Sequence, residues 1–112
     1  MDELSTLGPN QVCKLTHGAL SDEVLDPAAL GFKAPKLDEL VGGNATENAV
    51  IVEGVLAGTL KGPKRDIAVL NAAAGFVITG LAADVEAGKV LAERLLDRGA
   101  AHAKLRTLQD WC

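Results

Sequence analysis

The stretch from Ile67 to Ala83 limits the fold of this chain more than any other. It is the most apolar part of the sequence, interrupted by Asn71, Gly75 and Gly80. A membrane-spanning helix needs roughly 20 apolar residues, so this stretch is too short and too broken to cross a bilayer. Its residues Ile67, Leu70, Ala74, Val77, Ile78 and Leu81 recur at helical spacing but occupy more than one face. Such a helix has to be central, with other elements around it. Gly62-Pro63 is its natural start, because proline's fixed φ suits the first helical position.

What surrounds that helix must be aliphatic. Aromatic residues make up 3% of the chain and Tyr is absent, so Ala, Val, Leu and Ile are left to fill the core. The same scarcity argues against an aromatic platform for nucleic-acid bases. The net charge of -4 argues against a surface built for duplex DNA or anionic lipid, since both need a surplus of Lys and Arg. Small molecules and proteins remain as partners. Cys13 and Cys112 match no metal-binding spacing, and no secretory pattern opens the chain, so reduced thiols in a cytoplasmic protein are expected.

Along the chain, Gly8-Pro9-Asn10 breaks the backbone before Gln11–Thr16, whose near-alternation predicts a strand. His17-Gly18-Ala19 predicts a turn into a second strand around Glu23, Val24 and Leu25, which makes a β-hairpin. Asp26-Pro27 opens a single helical turn that Gly31 closes, and residues 32 to 43 form a connector. Asn44 and Glu47 then form a capping box for a first helix with the stripe Ala49, Val52 and Leu56, ended by Gly58. Asp84 caps a third helix running to about Asp97, Gly99 ends it, and Ala101, Leu105 and Leu108 stripe a last one.

One hairpin is little sheet for helices with such wide apolar faces, and its edges need partners. Residues preceding Met1 in a larger parent, or self-association of the chain, are the expectation. On the residues alone, adjacent Asp2 and Glu3 read first as two acidic residues of a frayed terminus, although paired carboxylates also have the chemistry for a hard divalent cation. They diverge in a helix or a strand, so only a loop lets both serve.

Four groups of residues stand out together. They are Met1-Asp2-Glu3-Leu4-Ser5, Leu25-Asp26-Pro27, Gly42-Gly43-Asn44-Ala45-Thr46-Glu47-Asn48-Ala49, and Lys61-Gly62-Pro63 with Arg65-Asp66 and Leu70-Asn71-Ala72-Ala73-Ala74. In this combination the sequence resembles the C-terminal part of anthranilate phosphoribosyltransferases, nearly end to end. The resemblance implies that residues 1–112 are part of a catalytic α/β domain of the nucleoside phosphorylase and phosphoribosyltransferase fold, a β-hairpin followed by a mainly helical half. It implies transfer of phosphoribose from phosphoribosyl pyrophosphate to anthranilate, a step of tryptophan biosynthesis, with Asp2 and Glu3 helping to hold Mg2+; a homodimer or other self-association is expected from the wide apolar faces, not from the resemblance.

Asn44 departs from the Asp common at that position, keeping a capping oxygen but losing a charge. The family's N-terminal helical domain, glycine-rich phosphate loop, Lys-His-Gly-Asn stretch and anthranilate-contacting arginine precede the acidic motif and have no equivalent here. The isolated chain is therefore expected to be inactive. Gly42-Gly43 and Gly99 are turns and caps, not a phosphate loop.

The alternatives are a non-catalytic folding or interaction module completing a separate N-terminal half, or part of a related pyrimidine-nucleoside phosphorylase. His17 and His102 have no carboxylate at matching spacing, Lys61, Lys64 and Arg65 read as a solvated helix start, and Asn71, Asn48 and Glu47 as satisfying backbone groups. For the core, Leu70→Ala should lower stability by about 2–5 kcal/mol and Lys64→Ala should change it little; equal shifts of their denaturation midpoints would refute the assigned burial.

Overall fold

The computed structural model describes residues 1–112. In it an antiparallel hairpin, β1 (Asn10–Thr16) and β2 (Ala19–Leu25), is followed by two short 3-10 turns, Pro27–Leu30 and Leu37–Glu39. Four helices complete the chain: α1 (Ala45–Leu56), α2 (Pro63–Ile78), α3 (Val85–Asp97) and α4 (Ala100–Trp111). None is long and apolar enough to cross a membrane.

The hairpin register pairs Thr16 with Ala19 and leaves a two-residue loop. His17 and Gly18 both take positive φ, 51° and 79°, as a type I′ turn requires. Glycine does this freely, and histidine accepts it at some conformational cost. The second strand is longer than its sequence indicates: Ser21, Asp22 and Glu23 are exposed and carry no apolar alternation. Cross-strand backbone pairing from the tight turn holds them extended.

Helix starts follow local chemistry. Asn44 accepts a hydrogen bond from the Glu47 amide at 3.0 Å while the Glu47 carboxylate accepts from the Asn44 amide at 2.8 Å, the expected capping box. Asp84 caps α3 through the Ala87 amide, and Asp26 caps the turn that opens with Pro27. Gly43 is held by Asn48, whose side chain accepts from its N–H and donates to its C=O, so the Gly-Gly pair is a helix approach.

The core lies where α2 packs on α3. On α2 the buried side is Arg65, Val69, Leu70 and Ala73, and on α3 it is Gly88, Ala92 and Leu96, both at helical spacing. Phe32 joins Val69, Leu70, Ala92 and Leu96 in one apolar cluster. Gly88 is the contact that brings the helices together: a Cβ there would lie 2.6 Å from the Ala73 carbonyl oxygen and 2.9 Å from its Cα.

The structure corrects the α1 stripe, meets the expectation that the other elements cannot fully cover the wide apolar faces of α2, and adds detail to the 32–43 connector. α1 buries Val55 while Ala49 and Val52 are exposed, because apolar residues surround this helix and docking selects the face. α2 ends at Ile78 and its last turn is uncovered: Ile78 is 86% exposed and Leu81, beyond it, 67%. The stretch from 32 to 43 contains a further 3-10 turn, Leu37–Glu39, whose last carboxylate accepts from the Lys36 amide.

Two glycines in helices test this packing in opposite directions. Gly88→Ala must push α3 off α2 and should lower stability by about 1–3 kcal/mol. At Gly75 an added Cβ meets no atom within 4 Å, so Gly75→Ala should raise stability by up to about 1 kcal/mol through helix propensity. Denaturant midpoints moving the same way in both variants would contradict the α2–α3 contact described.

Candidate functional site

Asp2 and Glu3 are exposed, and the backbone bends at Glu3, outside any helix or strand. The pair is thus free of the helix or strand geometry in which neighbouring carboxylates diverge. The residues after them are firmly tied. Leu4 donates its N–H to Asn71 Oδ1 at 3.0 Å and accepts from Asn71 Nδ2 at 2.9 Å. Ser5 is held in the same way by Asn10: its N–H donates to Oδ1 at 2.8 Å and its C=O accepts from Nδ2 at 2.9 Å. Thr6 is 1% exposed, and its hydroxyl has no hydrogen-bond partner.

The acidic pair thus projects from a segment fastened on one side to α2 and on the other to the root of the hairpin. No three His, Cys, Asp or Glu side chains converge into a metal cage. Two carboxylates on a bend nevertheless suit magnesium, which is commonly bound by one or two carboxylates together with substrate phosphates and water. A groove of about 890 Å³ opens beside this segment, lined by Leu4, Val12 and Leu25 on one side and Val77 and Val85 on the other.

The other sequence-flagged residues are scattered. His17 sits exposed in the hairpin turn, and Cys13 and Cys112 are exposed free thiols. His102 has no carboxylate at matching sequence spacing, but the fold supplies one: its Nε2 lies 3.3 Å from Glu53 Oε1, which also receives Arg106. Sequence spacing misses this because Glu53 comes from α1 and His102 and Arg106 from α4. Arg65 is corrected. It is buried, with Nη2 2.9 Å from Asp97 Oδ1 and Nη1 unpartnered, whereas Lys61 reaches the same carboxylate oxygen from a solvated position.

Residues 1–102 match the model of the glycosyl transferase family, a/b domain. The chain is 43% identical over 121 residues to an anthranilate phosphoribosyltransferase of Arthrobacter sp., covering 99% of this chain and 32% of that protein. A second, from Moorella thermoacetica, is 38% identical, again over 99% of this chain and 32% of the relative. Among solved structures, the anthranilate phosphoribosyltransferase of Thermus thermophilus superposes with a TM-score of 0.86 at 36% identity, covering 96% of this chain and 31% of that one. The chain therefore spans about a third of the length of these relatives.

Two carboxylates near the α2–α3 seam respond to pH in opposite senses. The Lys61 hydrogen bond, and then Arg65, hold Asp97 below its ordinary pKa. Its contribution to stability is present above the ordinary carboxylate range and is lost as pH falls through the lowered value. Partial burial raises Asp66, with Glu93 adding to the rise and Arg65 and Lys89 opposing it. Its contribution is present in acid and is lost as pH climbs through the raised value. Asp97→Asn, which leaves the buried Arg65 without its counter-charge, should lower the urea midpoint at pH 7, and the gap from the parent chain should close toward pH 3. A gap of constant size across that range would remove the ion pair from the account.

Proposed function

The chain belongs to the glycosyl transferase family whose a/b domain it matches, and from that membership we propose that it serves as the C-terminal portion of an anthranilate phosphoribosyltransferase's catalytic α/β domain. The reaction is transfer of phosphoribose from phosphoribosyl pyrophosphate to the amine of anthranilate, with diphosphate leaving, in tryptophan biosynthesis within the cytoplasm. The observation that carries this reading is the exposed Asp2–Glu3 pair on a bend whose next residue is fixed to the central helix.

In this proposal Asp2 and Glu3 supply hard oxygen ligands at the diphosphate end of the substrate. Magnesium, when bound there, neutralises the charge that accumulates on the departing diphosphate. Asn71 and Asn10 hold the backbone of Leu4 and Ser5, the two residues that follow the pair. The helices α2 and α3 supply the rigid base. The chain contains no strand–loop–helix glycine loop that could cradle the ribose phosphate, so alone it should orient the substrate too poorly to transfer it.

A second reading, a module that completes a separate N-terminal half, is supported by the apolar surface. Leu15, Leu20 and Ile78 are 68%, 73% and 86% exposed. The same surface supports self-association, including a homodimer, as a property of the chain.

The test is complementation. The chain alone should give no product, while mixing it with the remaining two-thirds of a relative should restore anthranilate-dependent diphosphate release. In the restored enzyme, Asp2→Asn with Glu3→Gln should cut magnesium-dependent kcat/KM by at least about tenfold, roughly 1.4 kcal/mol of transition-state stabilisation. An unchanged magnesium titration would take the pair out of the site. Chelator-sensitive product from the chain alone would overturn the division of labour.

A further inference from the structure

A primary amide carries one acceptor oxygen and two donor hydrogens. Asn71 uses all three in one place. Its Oδ1 accepts from the Leu4 amide, and its Nδ2 donates both to Leu4 O and, within α2, to Ile67 O at 2.9 Å. The bond to Ile67 fixes the orientation of the side chain on the helix, so the grip on Leu4 has a set direction. Val69, Leu70 and Ala73 beside it are at 1%, 0% and 0% exposure, so this part of α2 is among the most deeply buried in the molecule. Leu4 also packs its own side chain against the core cluster.

Glu3 and Asp2 come immediately before the residue so held. Consecutive Cα atoms are about 3.8 Å apart, so fixing Leu4 confines Glu3 closely and Asp2 somewhat less. Without the grip, the nearest backbone tether is the Ser5–Asn10 pair of hydrogen bonds, one residue further from Asp2 and Glu3, and the exposed stretch before it is free to fray. Asp could accept from Leu4 but has no donors to offer in its ionised form. Gln is one methylene too long, and Leu offers neither bond.

We propose that Asn71 is the positioning residue for the acidic pair: by fastening Leu4 it pre-orders Asp2 and Glu3 for a divalent cation. This rests on the reading of Asp2 and Glu3 given above, and it assigns Asn71 a role beyond burial of a polar side chain.

The test uses the 112-residue chain and Mn2+ as the probe, read by amide NMR. In the parent chain, Mn2+ should broaden Asp2, Glu3 and Leu4 first, and the Leu4 amide should exchange slowly with solvent. Asn71→Leu should release that amide and raise the Mn2+ concentration for half-broadening about tenfold, the usual loss when a residue supporting a metal ligand is removed. Asn71→Asp, which keeps only the acceptor, should fall between. Leu70→Val serves as a control that loosens the core yet keeps the amide grip, and it should leave the Mn2+ response close to that of the parent.

The outcomes are distinct. Slow Leu4 exchange in Asn71→Leu would show that the grip does no ordering, and the proposal would fall with the metal reading intact. A freed Leu4 amide with unchanged Mn2+ response would overturn the positioning role. An equal loss in Leu70→Val would reduce Asn71 to general stability. No selective broadening in the parent, or none lost on Asp2→Asn with Glu3→Gln, would sink the metal reading and the positioning role together.

Discussion

The rest of the structure depends on the backbone contact between α2 and α3 at Gly88. Because that residue has no side chain, the helices come close enough for Val69 and Leu70 to interlock with Ala92 and Leu96, and Phe32 closes the cluster. Further contacts follow from the same approach. It brings the last turn of α3 over the first turn of α2, where Asp97 meets the buried Arg65. It also brings the Leu96 carbonyl to the loop after α1. There Gly58 has φ 75°, and a Cβ would lie 2.8 Å from that oxygen. The close approach at one small residue thus accompanies contacts among three helices.

Away from that seam the fold relies on hydrogen bonds more than on burial. Only 11 of 112 residues are buried, so apolar area alone leaves the periphery weakly held. The compensation is local and polar. A capping box starts α1, the Glu39 carboxylate folds back onto the Lys36 amide, aspartates cap α3 and the Pro27–Leu30 turn, and two asparagine amides fasten Leu4 and Ser5. Each such cap contributes on the order of 1 kcal/mol. These interactions set direction more than total stability, which suits segments that must present side chains outward.

That division also explains what could be read from the sequence. The caps at Asn44, Asp84 and Asp26, the αL glycines 31 and 99, and the hairpin turn are legible because donor and acceptor lie within a few residues of each other. The family resemblance is legible from short motifs for the same reason. The buried face of α1 is not legible, since Ala49, Val50, Ile51, Val52, Val55 and Leu56 offer apolar surface on nearly every side and only the docked partner selects Val55. Nor are the ionic contacts of Arg65 with Asp97 and of His102 with Glu53, which join residues distant in sequence. Asn71 lies between these cases. Its alanine-rich setting shows that it must bond to something, and only the structure identifies Leu4.

The metal role proposed for the acidic pair has to resolve a geometric conflict. Two consecutive carboxylates cannot face one ion from a regular helix or strand, because successive side chains there diverge. A bend allows them to converge, but a free bend samples many conformations, and each must be given up when a cation is held. Ordering Asp2 and Glu3 through their own oxygens would use the atoms needed for the ion. Ordering them through the backbone of the next residues leaves those oxygens free. In the role proposed here, Asn71 and Asn10 do this through Leu4 and Ser5 with neutral amides, which add no positive charge to compete with a divalent cation and no negative charge to trap it too tightly. The arrangement joins a rigid aliphatic core to a polar, exposed dipeptide through uncharged hydrogen bonds, and the chemistry proposed for this chain requires that combination.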